Sequence, residues 1–247
     1  MPRVCALWRH PIKAHGREAI SAVDLIEGQT MPWDRQWAVA HELSHADGSG
    51  WAHCRKFTRA SEAPSVQAIS AEVHETLGQL TLRHPDLDDL VFDPDREPDA
   101  FLGWVRQIMP LSRPQSVRLV RSLKQGMTDT NYPSVSFINL ASHKAVASQT
   151  DTHLSDLRWR CNVHLDGLHA WGEFDWVGKT IRAGEAELRV EEAIERCKVP
   201  AANPDTGAQD IDILGTLMRD FGHMNFGIAA VVTNSGRLAV GDTVEPT

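Results

Sequence analysis

Glu192-Ala193-Ile194-Glu195-Arg196-Cys197-Lys198-Val199-Pro200, followed after two alanines by Asn203-Pro204-Asp205-Thr206-Gly207, is the stretch on which the reading of this chain turns. It sets one thiol between two cations at the end of a strand candidate. Flanking positive charge favours the thiolate, the form of cysteine that acts as a nucleophile or a soft metal ligand. Pro204 and Gly207 then impose a turn on the segment that begins six residues past the cysteine. Cys197 is thus the candidate catalytic and metal-ligating residue. The competing reading is an inert edge cysteine, and spacing alone does not separate the two.

Outward from this stretch, the first half alternates apolar and polar residues around turn signals. Val4–Arg9, Ala19–Leu25, Arg35–Ala40, Val66–Val73, Gln79–Arg83 and Leu90–Phe92 read as strands. Between Pro98 and Pro110, Phe101, Leu102, Val105, Ile108 and Met109 fall on one helical stripe. Further helices are expected at Ala141–Ala147 and from Asp212 onward, where Ile213, Leu214, Leu217 and Phe221 repeat the spacing. Near the end, Ile228–Thr233 and Arg237–Val240 around Asn234-Ser235-Gly236 predict a hairpin. The pattern is α+β, mainly β, around a barrel-like sheet.

Several segments carry a family resemblance in order. Arg196-Cys197 with Asn203-Pro204-Asp205-Thr206-Gly207 resembles the R-C-x-x-x-x-x-D-P-x-T-G segment of MOSC domains, named for the molybdenum cofactor sulfurase C-terminal region, with Asn203 where Asp is usual. Leu7-Trp8-Arg9-His10-Pro11-Ile12-Lys13 resembles the family's Y-P-[IV]-K-S start, and Asp34-Arg35-Gln36-Trp37 its D-R-x-W element. Arg158-Trp159-Arg160-Cys161-Asn162-Val163 resembles R-F-R-P-N-I, and Glu173-Phe174-Asp175-Trp176-Val177-Gly178 resembles E-D-x-W-x-G. Phe226-Gly227 and Gly241-Asp242-Thr243-Val244 resemble the closing F-G and G-D-x-V elements. The likeness spans nearly the whole chain, and its pattern is similar to the amidoxime-reducing components, which reduce N-hydroxylated compounds with molybdenum held by a pterin dithiolene and one cysteine.

The resemblance implies a molybdenum cofactor (molybdopterin with Mo), with Cys197 on the metal and Lys13, Arg35, Arg160 and Asn162 as cofactor contacts. Asn139 and Ser142, in a stretch similar to the family's L-[SN]-x-A-S, are weaker candidates. A phosphate-bearing pterin needs several directed donors. Ala14 and His15 replace the usual serine and cysteine after the lysine, and Cys161 replaces a proline and reads as buried packing in a strand. Trp8, Trp37, Trp159 and Trp176 read as core anchors. The resemblance also implies a barrel-like MOSC domain over 112–247, a smaller packed N-terminal α/β subdomain over 37–111, and first strands over 1–36 that complete the barrel.

Charge and cysteine usage exclude other classes. A net charge of −8, from 25 basic and 33 acidic residues, argues against nucleic acid or anionic membrane as partner. The N-terminus lacks a secretory apolar run and no window approaches a membrane span, so a cytoplasmic protein is expected. Cys5, Cys54, Cys161 and Cys197 form no C-x-x-C pair. His41-Glu42-Leu43-Ser44-His45 matches the zinc-protease H-E-x-x-H, but that chemistry needs a helix, and Gly48-Ser49-Gly50 follows at once. The sequence has no iron–sulfur run, haem attachment or dinucleotide fingerprint. A reductase would therefore take electrons from a separate protein, ferredoxin-like or a flavin reductase, and pass them to a small N-oxygenated substrate. The rival functions are a non-catalytic cofactor carrier, a sulfur-transfer protein and, more remotely, a zinc protease through His41, Glu42 and His45.

Overall fold

The computed structural model describes residues 1–247. Along the chain run β1 (Arg3–Arg9), β2 (Glu18–Ile20), β3 (Ala22–Leu25), β4 (Trp37–His41), β5 (Ser70–His74), β6 (Gln79–His84) and β7 (Leu87–Phe92), then α1 (Pro98–Arg106) and β8 (Ser116–Arg121). There follow β9 (Val135–Asn139), α2 (Leu140–Ala147), β10 (Val163–Asp166), β11 (Thr180–Ala183), β12 (Ala186–Glu195), α3 (Ile213–Phe221), β13 (Asn225–Asn234), β14 (Gly236–Ala239) and β15 (Val244–Pro246). No helix is long and apolar enough to cross a membrane.

Eight strands form one curled, half-barrel sheet in the order β15-β11-β12-β13-β9-β10-β1-β2. Its one parallel pair, β9 with β10, is joined through α2, and the other pairs are antiparallel. In β12, Ala186, Leu188 and Val190 turn inward while Glu187 and Arg189 turn away, the period-2 pattern of a half-buried strand. The separate pair β14-β3 adds Val23, Leu25 and Leu238 to the same core. The chain's first strands are therefore built into the sheet of its C-terminal half. A second core gathers around the β5-β6-β7 meander and α1, whose Phe101, Leu102 and Val105 are buried, and includes Ile12 and Trp37.

Two expectations fail, the first for a local reason and the second for a nonlocal one. Residues Pro64–Ala68 form a 3-10 turn rather than the start of a strand, and β5 begins only at Ser70. Pro64 suits the first turn of a helix, and Val66 and Ile69, three residues apart, both face the second core. The hairpin after Ile228 is absent: β14 pairs with β3, and β13 keeps β12 and β9 as partners. At Gly236 an added Cβ would lie 2.4 Å from the Glu185 carbonyl carbon, so the chain there crosses closely over the β11–β12 turn on its way to β3.

Candidate functional site

Segments from distant parts of the chain meet at one cavity of about 290 Å³. The loop after β1 supplies Lys13 and Ala14, the approach to β4 supplies Arg35, the segment before β10 supplies Arg160, Cys161 and Asn162, and the end of β12 supplies Arg196 and Cys197. Of the seven residues singled out in the sequence, Lys13, Arg35, Arg160, Asn162 and Cys197 line this cavity. The backbone here is unusual. Only five non-glycine residues adopt left-handed φ, and three of them, Ala14 (67°), Arg35 (52°) and Arg160 (50°), line the cavity. Such conformations cost roughly 1–3 kcal/mol each and persist only where the surroundings enforce them. The expected strand over Arg35–Ala40 accordingly begins only at Trp37.

Asp34, fully buried, organises the cations. Its carboxylate accepts from the Arg35 guanidinium and from the His10 backbone at 2.7 Å. Burial pushes the Asp34 carboxyl up, but Arg35 and His10 outweigh it and hold it well below the usual range. Arg35 Nη2 donates to the Arg160 carbonyl at 2.9 Å, and Arg160 Nη2 donates to the Gly16 carbonyl at 3.0 Å. Arg160 Nη1 is buried and has no partner. Burial, and the repulsion of Arg35 and Arg17, lower the Arg160 pKa to about 9. Lys13 Nζ donates to the Met127 carbonyl at 2.7 Å and pairs with Asp129 at 2.5 Å. The Asp129 side chain is largely exposed at the cavity mouth, and Lys13, with Arg35 and Arg196, holds its carboxyl low. Five cations thus line the cavity (Lys13, Arg35, Arg59, Arg160, Arg196) against two carboxylates (Asp129, Glu195).

Asn162 borders the cavity, yet its amide ties strands together: Oδ1 accepts from Ser136 N and Oγ, and Nδ2 donates to the Trp8 carbonyl. Cys197 is exposed two residues past β12. The expectation that Arg196 acts on Cys197 needs correction. Its guanidinium lies over the Trp159 ring and donates to the Phe226 and Trp159 carbonyls and, at 3.1 Å, to Cys161 Sγ. Cys161 is buried as expected but lies in the bend before β10, outside any strand. The motif glycine has a steric role: at Gly207 (φ 69°) an added Cβ would sit 2.5 Å from Ser65 Cα, so the loop after Cys197 packs directly on the N-terminal half.

Asn139 and Ser142 do not line the cavity, a correction to their assignment as cofactor contacts. Asn139 caps α2 through Oδ1 and donates to Glu173 and to the His169 carbonyl, while Ser142 donates to Glu173 and accepts from Trp171 N. Burial pushes the Glu173 carboxyl up against the lowering effect of these donors. Their bonding capacity is used within the fold. His10 and His15, which flank Lys13, are buried away from the cavity, and burial above all lowers their pKa values to about 3 and about 4. They are neutral at pH 7. His41-Glu42-Leu43-Ser44-His45 is a strand end and turn, with His41 Nε2 near the Arg55 carbonyl, so the two imidazoles lack the helical face that zinc requires. No group of three or more His, Cys, Asp or Glu side chains is placed to hold a metal ion.

Sequence reasoning missed Asp34, Arg59, Asp129 and Cys54, which stand in or directly behind the cavity wall. Asp34 carried a signal, being the acid next to Arg35 in Asp34-Arg35-Gln36-Trp37. Cys54 opens a short 3-10 turn, Arg59 and Asp129 stand in irregular loops, and none of the three carried a signal.

Residues 127–245 match the MOSC domain and residues 1–105 match the MOSC N-terminal beta barrel domain. The chain is 22% identical over 268 residues to molybdenum cofactor sulfurase 3 of Aedes aegypti, an alignment covering 92% of this chain and 33% of that protein. It thus spans about a third of that relative's length. Among solved structures, the YuaD protein from Bacillus subtilis aligns over 99% of this chain and 94% of its own, at 12% identity and a TM-score of 0.47. YiiM from Geobacillus stearothermophilus aligns over 46% and 53%, at 16% identity and a TM-score of 0.36. With two adjoining domain matches covering nearly all of its length, the chain belongs to the MOSC family.

Proposed function

We propose that this chain binds the molybdenum cofactor in the cationic cavity, with Cys197 as the protein ligand to the metal. We further propose that it reduces N-hydroxylated or N-oxygenated small molecules with electrons from a separate donor protein, ferredoxin-like or a flavin reductase. The observation that carries the reading is the excess of cations over carboxylates in the cavity that Cys197 borders, with Lys13 and Arg160 buried and Arg160 Nη1 left without a partner. A buried donor without an acceptor costs about 1–3 kcal/mol, more when charged, and a phosphate or pterin oxygen is the kind of acceptor it lacks. The residues present therefore fit the group.

Arg160, Arg35 and Lys13 would hold its anionic and carbonyl oxygens, and Asn162 would keep the cavity wall in register. When bound, the cofactor supplies two-electron chemistry, so that N–OH, two electrons and two protons become N–H and water. The protein's share is position: Asp34 fixes Arg35, and the thiol of Cys197 stands at the exposed rim where a small molecule can approach. His10 and His15 are kept neutral by burial and lie outside the cavity, so neither ring is placed to deliver the protons.

The test is elemental analysis of wild type and Cys197→Ala from a host that makes the cofactor, followed by benzamidoxime reduction with an artificial one-electron donor. Near-stoichiometric molybdenum in wild type, lost in the variant together with the reductase activity, is expected. Zinc without molybdenum, or molybdenum indifferent to Cys197, would overturn the reading. A second reading, cofactor carriage or sulfur transfer, draws on the relative's name and on Cys54 and Cys161 bordering the same cavity. Bound molybdenum without reductase activity would favour carriage, and a gain of one sulfur in mass on Cys197 would favour transfer.

A further inference from the structure

The 3-10 turn Asp156–Trp159 and the residue after it send two arginines to different tasks. Arg160 faces the cavity, whereas Arg158 is fully buried and does not line it. Arg158 Nη1 donates to the carbonyls of Pro200 at 3.2 Å and Ala201 at 3.3 Å, in the turn directly after Cys197. Its guanidinium also pairs with Asp210, Nη1 to Oδ1 and Nη2 to Oδ2, both at 2.8 Å.

Asp210 completes a closed ring. Its backbone N donates to the Ala201 carbonyl at 3.1 Å and its carboxylate accepts from Asn203 Nδ2 at 2.9 Å, while Asn203 N donates to the Ala208 carbonyl at 2.8 Å. Asn203 is the position where the family pattern carries Asp, and here its amide supplies a donor that a carboxylate facing Asp210 could not. All the hydrogen bonds of the Arg158 guanidinium thus go to the segment 200–210, which leads away from Cys197.

Burying a guanidinium carries a large desolvation cost, offset only by well-placed acceptors, and an apolar side chain would fill the same space with less penalty. Backbone carbonyls at two successive positions plus a bidentate carboxylate fix the direction of a loop in a way that apolar packing does not. We infer that Arg158, with Asp210 as its counter-ion, is a positioning residue for Cys197: it holds the Pro200–Asp210 loop so that the thiol is presented at the cavity rim. The inference rests on the reading of Cys197 as the functional thiol.

The experiment uses the full chain from a host unable to make the cofactor, as wild type, Arg158→Lys and Asp210→Asn. The rate of iodoacetamide alkylation at Cys197 is read by peptide mass spectrometry, with the exposed Cys5 on β1 as internal reference. Both variants should raise the Cys197 rate at least fivefold relative to Cys5, with the melting temperature of Asp210→Asn within a few degrees of wild type. Made in a cofactor-producing host, both should retain less than half the wild-type molybdenum. If Arg158→Lys fails to fold, Asp210→Asn decides, because that side chain is partly exposed. A Cys197 rate within twofold of wild type in folded Asp210→Asn overturns the inference. Wild type without molybdenum, but with the alkylation effect intact, would instead count against the cofactor reading and leave the positioning role standing.

Discussion

Two clusters of buried polar side chains look alike in sequence and differ in kind. Around Glu173, the amide of Asn139, the hydroxyl of Ser142 and the Trp171 backbone close on one another. Around Arg160 the guanidiniums outnumber the carboxylates, two buried nitrogens (Arg160 Nη1 and Arg59 Nε) have no acceptor, and the backbone is held left-handed at three points. Both sets stand in segments that resemble family motifs. The difference teaches that burial and polarity alone do not mark a binding site; bonding capacity left open in the wall of a cavity is the sharper sign. The closed cluster serves the fold, and the open one is where we propose that a ligand binds.

The comparison can be broken in four ways. The largest effect is expected from Glu173→Ala, which strands the donors of Asn139 and Ser142 and should cost about 3–5 kcal/mol of unfolding free energy in denaturant titration. Molybdenum per folded chain should not change; a loss would place the Glu173 cluster in the site after all. Acid comes second. His10 and His15 have folded pKa values depressed to about 3 and about 4 from the usual 6.5. The unfolded chain therefore binds the extra protons, and the stability they contribute is complete above 6.5 and lost as pH falls below it. From pH 6 to pH 5 the pair should remove about 2–3 kcal/mol. A flat profile there would mean that the two rings are protonated in the fold.

Third, Arg160→Gln should weaken cofactor retention roughly tenfold, about 1.4 kcal/mol, without loss of thermal stability, since it removes an under-satisfied buried charge. If it unfolds the protein instead, Arg160 belongs with the closed cluster. The smallest effect sharpens the same point: Ala14→Gly relieves a left-handed residue and should stabilise by about 0.5–1 kcal/mol. A destabilisation would show that the backbone there carries no strain.

Much of this was legible before any coordinates. The three helices, the strands of the first half in outline and the candidacy of Cys197 came from local periodicity and from a thiol set between two cations, whereas Lys13, Arg35, Arg160 and Asn162 came from the family resemblance of their segments. What escaped in side-chain roles and strand pairing has a common cause, partners far away in sequence. Asn139 and Ser142 sit in a plausible motif, and only the position of Glu173 shows that their bonds are already made. Arg196 is adjacent to Cys197 in sequence, but the alternation at the end of β12 turns it onto Cys161 and the Trp159 ring. Gly236 looks like a hairpin tip, and only β3, from the other end of the chain, explains the path taken. The left-handed backbone at Ala14, Arg35 and Arg160 was invisible because no glycine announces it.

The pairing of β1 with β10 has a consequence for how the protein is made. Val4 meets Leu165, which a ribosome working at about 5–20 residues per second produces roughly 8–30 s later. Until then β1 has its antiparallel neighbour β2 and no partner along its other edge. The nascent chain must therefore carry Val4 and Leu7 uncovered through most of its synthesis, a long interval in which a chaperone, rather than the native sheet, is the natural cover for that edge.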